Sequence, residues 1–261
     1  NKKPFFLLEK KYLKKKIKNF FLKNKLNIVP VVNDKNILVK TFHLNEIFKD
    51  SKVFKKINDV ETVIMAGGKG TRLKPFTNIL PKPLIPIKGK TAIESIIEQF
   101  QLYGLNNFII SINDKSEIIK AFFHELQPTY KVKFIEEEKP LGTIGSLNLI
   151  KKENLKNDIL VTNCDILSNF DLFDFYSFHK EKKFDITIVA SDKKYEIPYG
   201  VCKIAKDGNL IEVVEKPSLD FLVNIGVYLI NNKILKLIPK NKQFDTNQLI
   251  NLAKKKKFRI G

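Results

Sequence analysis

Residues 61 to 88, ETVIMAGGKGTRLKPFTNILPKPLIPIK, constrain the fold more than any other stretch. Thr62 to Ala66 is apolar and rich in strand-forming residues. It breaks at once into Gly67-Gly68-Lys69-Gly70-Thr71-Arg72. Three glycines in four residues let the backbone turn sharply and bare its N–H groups, because no Cβ stands in the way. Such a nest at the carboxyl end of a strand suits an anion, phosphate above all. Arg72 and Lys82 add cations beside it. Arginine offers a planar fork for phosphate oxygens, and lysine a mobile point charge.

Two familiar phosphate loops are excluded. A Walker loop needs a glycine five residues before Gly-Lys-Thr, and Gly89-Lys90-Thr91 has Leu84 there. A dinucleotide fingerprint starting at Gly68 and Gly70 needs a third glycine where Leu73 stands. Taken alone, the remaining glycine loop reads equally well as a turn. The whole pattern GGxGTRLxPxTxxxPKPLxPI is far more specific. It resembles the signature of the sugar-1-phosphate nucleotidylyltransferases, and the likeness runs over about residues 60 to 255. The resemblance implies an α/β fold of the nucleotide-diphospho-sugar transferase type. That is a Rossmann-like, mostly parallel sheet with helices on both faces.

The composition sets limits on partners. The chain has 261 residues, enough for one large α/β domain and a small one. Its net charge of +19 fits either a nucleic-acid or membrane-surface binder, or a lysine-rich bias with attraction for phosphorylated substrates. The lysines are spread widely and no nucleic-acid module appears, so we expect neither nucleic acid nor membrane as a partner. Cys164 and Cys202 show no paired spacing, which fits a reducing cytoplasm rather than a disulfide scaffold. His43, His124 and His179 are too scattered for a metal motif. No apolar run approaches the roughly 18 residues of a membrane span, and Phe5 to Leu8 is too short for a signal-peptide core. The start at Asn1 and the end at Gly261, straight after a strand-like run, are expected of a fragment cut at both ends.

Residues 1–52 read as a separate block. Tyr12 to Leu26 carries an apolar stripe among lysines and predicts a helix. Asn27 to Val32 and Ile37 to Lys40 predict strands around the turn Asn33-Asp34-Lys35-Asn36, and Leu44 to Phe48 opens a second helix. This order, with IVPVVNDKNILV at its centre, resembles the latter part of a CBS repeat, so the block reads as a partial α+β CBS-like segment. CBS repeats often bind adenine nucleotides, which makes an adenine nucleotide a partner to consider there. A packing or dimerisation appendage, in a homo-oligomer, is the alternative. Residues 53–60 read as a linker, and 61–261 as the nucleotidyltransferase domain.

Beyond the signature, Thr91 and Glu94 form a capping-box pattern for a helix that runs to Tyr103 and stops at Gly104. Asp114 and Glu117 suggest a second box, opening a helix to Leu126. Strands are expected at Asn107 to Ile112, Lys131 to Glu136 and Ile159 to Thr162, with a helix from Gly145 to Lys151. After Phe184 the chain turns β-rich, with strands near Asp185 to Ala190, Gly200 to Ala205, Leu210 to Glu215 and Val223 to Ile230. Asn231 to Ile238 and Asp245 to Ala253 read as helices.

The chemistry is expected from four further motifs. In Glu136-Glu137-Glu138-Lys139-Pro140-Leu141-Gly142-Thr143, the glycine lets a flat base lie against backbone, and a carboxylate can accept two N–H bonds from guanine. This loop resembles the E-x-x-P-L-G-T loops of guanylyltransferases, so Glu137 is the expected base contact and GTP the expected nucleotide. An acidic, solvated strand end is the alternative. Asn163-Cys164-Asp165 resembles the family's metal motif, which implies Mg²⁺ on Asp165; a helix N-cap is the alternative. Tyr199-Gly200-Val201, Glu215-Lys216-Pro217 and Asn224-Ile225-Gly226-Val227-Tyr228 resemble its YG-V, EKP and NAGIY motifs. These imply sugar contacts from Gly200, Glu215 and Asn224 and a phosphate contact from Lys216.

The resemblance thus implies catalytic roles for Arg72, Lys82, Asp165 and Lys216. It implies nucleotide contacts from Ala66, Gly67, Gly68, Gly70, Thr71, Arg72, Glu137, Gly142 and Asn163. The expected reaction joins GTP and a sugar 1-phosphate. The domain order resembles enzymes making GDP-glucosamine for legionaminic acid synthesis, so glucosamine 1-phosphate is the expected sugar. Mannose and heptose 1-phosphates are the alternatives. The family commonly carries a second metal aspartate in a W-x-D-I-G motif, which this sequence does not contain. That departure leaves a non-catalytic nucleotide-sensing subunit as a reading of another class.

Overall fold

The computed structural model describes residues 6–9, 17, 21, 26, 28–43, 54–150 and 155–261. They fall into two compact units, Asn1–Phe54 and Lys55–Gly261. In the first, β1 (Leu7–Leu8), β2 (Ile28–Val32) and β3 (Leu38–His43) form a three-stranded sheet, β1 parallel and β3 antiparallel to β2. The turn between β2 and β3 forms as expected. Asn33 Oδ1 accepts from the Lys35 and Ile37 amides, each at 3.0 Å. Val29, Val31 and Phe42 pack with Ile17 and Phe21. The helices expected over 12–26 and 44–48 lie outside the described residues, apart from Ile17, Phe21 and Leu26.

The larger unit begins before its first strand. Ile57 is 3% exposed and its amide donates to Tyr103 O at 2.9 Å. Within the expected linker, 53–60, Ile57 is therefore packed while Lys55, Lys56, Asn58 and Asp59 are exposed, and Val60 already belongs to a strand. The strands are β4 (Val60–Met65), the short pair β5 (Pro86–Ile87) and β6 (Lys90–Thr91), β7 (Asn107–Ile112), β8 (Lys131–Glu136), β9 (Asp158–Asn163), β10 (Ile186–Glu196), β11 (Val201–Ile204), β12 (Leu210–Val214) and β13 (Ser218–Asn231). The helices of the described residues are α1 (Ala92–Gln101), α2 (Ser116–Leu126), α3 (Leu172–Lys182) and α4 (Thr246–Lys255).

The main sheet has the order β10-β13-β9-β4-β7-β8. β9, β4, β7 and β8 run parallel, and β13 is antiparallel to both its neighbours. Alternation along the strands sends residues to opposite faces. Val63, Met65, Ile109 and Val161 join a core with Ile144 and Leu147, with Ile234 and Leu235, and with Leu249 and Ala253 of α4. Ile110 points the other way, in register with Phe134, and Phe134 packs edge-on to Phe123 of α2. Helices therefore cover both faces, as in doubly wound α/β proteins.

Local chemistry explains the helix starts. Thr91 caps α1 through the expected box: Glu94 N donates to its hydroxyl at 3.3 Å, and Glu94 Oε2 accepts from the Thr91 amide at 2.8 Å. The second box does not form. α2 begins at Ser116, after Lys115 in a left-handed conformation, so Asp114 stands a residue too early to cap it. The segments expected as helices after Gly145 and Asn231 are 3-10 turns, Gly145–Leu149 and Asn232–Leu237.

Candidate active site

β4 leads through β7 to β8 on one side, and the chain then returns to lay β9 on the other side of β4. This reversal opens a crevice at the carboxyl ends of β4 and β9, the usual ligand position in open α/β sheets. Met65 is in register with Asn163, and Cys164 N donates to Met65 O at 3.2 Å. The glycine loop after Met65 and the Asp165 turn after Asn163 are thereby neighbours. Between them lies a cleft of about 690 Å³ lined by Gly67, Gly68, Gly70, Thr71, Arg72, Lys82, Glu137, Gly142, Asn163 and Asp165. The sequence spreads these ten residues over 99 positions, and the sheet brings them together.

The loop geometry answers to its side chains. Gly70 has φ +63°, and a Cβ there would come within 2.8 Å of Thr77 Cγ2 and 3.0 Å of Lys82 Cβ. The Thr77 hydroxyl donates to Gly70 O at 2.9 Å. This close approach sets Lys82 against the loop. A Cβ on Gly68 would meet nothing within 4 Å, so that backbone faces open space where a ligand can approach it closely. Arg72 sits in the 3-10 turn Thr71–Leu73 directly after the loop, exposed to the cleft.

Lys82 Nζ and Asp165 Oδ2 form an ion pair of 2.6 Å, with the two side chains 24% and 40% exposed. The pair can open at small cost, since partly exposed pairs contribute about 0–1 kcal/mol. Among the described residues no three His, Cys, Asp or Glu side chains gather as a metal group. Asp165 alone still fits Mg²⁺, which binds with one or two carboxylates plus substrate phosphates and water. Cys164 lines the cleft but is 4% exposed. Burial pushes its thiol up to about 12 against the opposing charge of Lys82, so it carries no thiolate at neutral pH.

Glu137 has partners that the sequence does not show. It lines the cleft at 5% exposure, yet both carboxylate oxygens are engaged. Oε1 accepts from the Ser111 hydroxyl at 2.6 Å, and Oε2 from the Leu141 amide at 2.8 Å. Asn113 Nδ2 donates to its carbonyl at 2.5 Å. The carboxylate expected at a base thus also braces β7, the end of β8 and the Pro140–Thr143 loop, and each oxygen keeps a second lone-pair site. The glycine of that loop likewise makes room for protein: a Cβ on Gly142 would meet Phe244 O at 2.7 Å.

The remaining expected residues stand apart from the cleft lining. Ala66 is buried, and its amide donates to Ser111 O at 2.8 Å. Gly200, Glu215 and Lys216 are exposed at the base of the β11–β12 hairpin, where Glu215 Oε2 would lie 3.1 Å from a Cβ on Gly200. Asn224 accepts from the Gly226 amide and donates to the Tyr228 hydroxyl, both at 2.9 Å. Sequence reasoning missed Thr143 and Gln243 in the wall. Thr143 stood inside a quoted loop, but nothing in the sequence marks Gln243. It reaches the cleft because α4 docks behind that loop.

Comparisons with known proteins give the family and the fold. A model of the nucleotidyl transferase family matches residues 61–255. The probable glucose-1-phosphate cytidylyltransferase of Bacillus subtilis (strain 168) is 32% identical over 218 residues, covering 75% of this chain and 85% of that protein. The mannose-1-phosphate guanyltransferase of Pichia angusta is 36% identical over 185 residues, covering 67% of this chain. The matched region spans 50% of that relative's length. The crystal structure of HddC from Yersinia pseudotuberculosis complexed with GMP-PN aligns at 28% identity with a TM-score of 0.57, over 77% of this chain and 89% of that one. A putative glucose-1-phosphate thymidylyltransferase from Bacillus anthracis, 18% identical, shares the fold with a TM-score of 0.58. The glycine loop, the Asp165 turn and the outer hairpin all fall inside the matched span, and the chain belongs to the nucleotidyl transferase family.

Proposed function

We propose that the protein transfers GMP from GTP to a sugar 1-phosphate. A sugar-phosphate oxygen attacks the α-phosphorus in line. The bond from that phosphorus to the β-phosphate bridging oxygen breaks, and pyrophosphate leaves with the electron pair. The observation that carries this reading is the meeting of the glycine loop, Arg72, Lys82 and Asp165 in one cleft at the sheet's reversal point. Backbone N–H groups of Gly67 to Gly70 and the Arg72 fork hold the triphosphate, and Lys82 turns from Asp165 to a phosphate oxygen. Asp165 and substrate phosphates would hold Mg²⁺, which neutralises charge developing on the phosphates. Catalysis is then positioning plus charge neutralisation, with no covalent enzyme intermediate.

Guanine is supported by the Pichia relative and by the GMP-PN complex; the Bacillus relative makes cytosine the competing base. Base contacts would come from Glu137, through the remaining lone pairs of its carboxylate, and from the backbone around Gly68 and the Pro140–Thr143 loop. Glu215, Lys216, Gly200 and Asn224 would meet the sugar phosphate from the outer hairpin and β13. Glucosamine 1-phosphate is our first acceptor, on the order of a CBS-like segment before the transferase. The decisive experiment measures pyrophosphate release from GTP, CTP, UTP and dTTP, each with glucosamine, mannose, heptose and glucose 1-phosphates. Release with GTP and one sugar supports the reading. Release with CTP alone overturns the guanine assignment, and none with any pair overturns the activity.

A further inference from the structure

The Leu141–Ile144 loop walls the cleft, yet its polar groups turn away from it. Thr143 N donates to Asp245 Oδ1 at 2.9 Å. The Thr143 hydroxyl accepts from Thr246 N at 2.9 Å and lies 3.1 Å from the Thr246 hydroxyl. Phe244 N donates to Leu141 O at 2.9 Å, and Ile144 N to Phe244 O at 3.2 Å. Each partner lies at the start of α4, where Asp245 is the N-cap residue and its own amide donates to Gln248 Oε1 at 2.8 Å. Gly142 has φ +82°, and a Cβ there would come within 2.8 Å of Asp245 Oδ1. Loop and helix start are therefore fitted to each other at one carboxylate.

We propose that Asp245 is a positioning residue for nucleotide binding. It touches no substrate in this scheme. It fixes the Thr143 amide, and with it the backbone of Gly142 and Thr143 that faces the cleft. Glu137 holds the same loop from the opposite side through the Leu141 amide. The loop is thus held between a strand end and a helix start before any nucleotide arrives, which lowers the ordering cost of binding. Without the carboxylate, the Thr143 amide loses its acceptor and the loop samples other positions. The effect belongs to the nucleotide, since the sugar contacts proposed above lie on other elements.

The inference rests on the proposed nucleotidyl transfer, and the two fail separately. Steady-state kinetics of the full chain, varying nucleotide and sugar 1-phosphate in turn, are compared with thermal unfolding. Asp245→Ala should raise KM for the nucleotide about tenfold, equivalent to about 1.4 kcal/mol, with KM for the sugar phosphate and kcat changed less than threefold. Asp245→Ser keeps a helix cap on a side chain too short for the Thr143 amide. It should retain the wild-type Tm and still show the raised KM, which separates positioning from stability should the alanine variant unfold. Asp245→Asn keeps the accepting oxygen and should restore KM to within twofold of wild type. A nucleotide KM within twofold of wild type in the serine variant overturns the inference, as does an equal rise in both KM values. A wild-type chain with no pyrophosphate release overturns the transfer reading instead, and nucleotide binding by calorimetry then tests Asp245 by the same three variants.

Discussion

Lys82 and Asp165 hold each other across the cleft at 2.6 Å, while Arg72 stands exposed to it with no carboxylate recorded on its guanidinium among the described residues. The three charges therefore differ in what their loss should do. Arg72→Ala removes the proposed phosphate fork, and Asp165→Ala removes the carboxylate proposed to hold a hard cation. Each should lower kcat/KM in pyrophosphate release by about 10²-fold or more. Near-normal turnover in either variant would sink its assigned role. Cys164 supplies a control within the same turn. Its buried thiol, raised to about 12, should resist iodoacetamide near neutral pH in the folded chain, while exposed Cys202 is alkylated. Peptide mass spectrometry reads both sites, and rapid labelling of Cys164 would contradict its burial. At this scale the sequence located the charged residues but not their partners. Glu137 looks like a free acid in a string of three glutamates, and only the fold brings Ser111 and the Leu141 amide onto it.

Among the elements, the far end of β9 carries a second polar cluster. Asp158 is 1% exposed and receives Lys180 Nζ at 2.7 Å and Asn231 Nδ2 at 3.1 Å, with His179 Nε2 at 3.4 Å. Burial raises its pKa, but the bonds from His179 and Lys180 outweigh burial and bring the carboxyl down to about 2 from an ordinary 3.8. A lowered folded pKa means stability that is present above the ordinary value and is lost as pH falls toward the folded one. Wild-type stability should therefore fade between about pH 4 and pH 2. Asp158→Asn should cost about 1–2 kcal/mol near neutral pH and flatten that loss. Urea unfolding across this range tests it; an equally steep loss in the variant would assign the acid sensitivity elsewhere. The elements themselves were unequally legible. β7 and β8 appear at their expected bounds, β7 as a nearly continuous apolar run buried on both faces and β8 as a partly alternating one. α3 was missed because its Phe and Tyr residues are spread round the helix, and only Leu172 and His179 are buried. Its one readable signal was Asp171, which caps it by accepting from Phe173 N at 2.9 Å. β13 was read too short, since the half beyond the core exposes Leu219, Phe221 and Leu222 and lacks a buried face.

On the scale of the molecule, every residue lining the cleft lies between Met65 and Gln243, within the unit Lys55–Gly261. A chain starting at Lys55 should thus retain pyrophosphate release within about threefold of the full chain, with nucleotide KM unchanged. Loss of release from a trimmed chain that still unfolds cooperatively would show that the first unit takes part in the reaction. Why the sheet's parallel part was foreseeable and its left side was not follows from chain order. β4, β7, β8 and β9 follow strand–helix alternation, whereas β13 inserts between β10 and β9 from much later in sequence. β13 also does something no shorter strand could. Its last five residues, Val227 to Asn231, pair with β9, and its first seven, Ser218 to Asn224, pair with β10 alone, beyond the core. The pairing with β10 breaks once, between Ile188 and Ala190, opposite Gly226, which is packed so tightly on Asn163 that a Cβ would strike its side chain. The outer arm therefore leaves the core at a single irregularity, and that irregularity lies against a residue of the cleft. That contact, Gly226 on Asn163, joins the outer arm to the wall of the cleft beside the turn that carries Asp165.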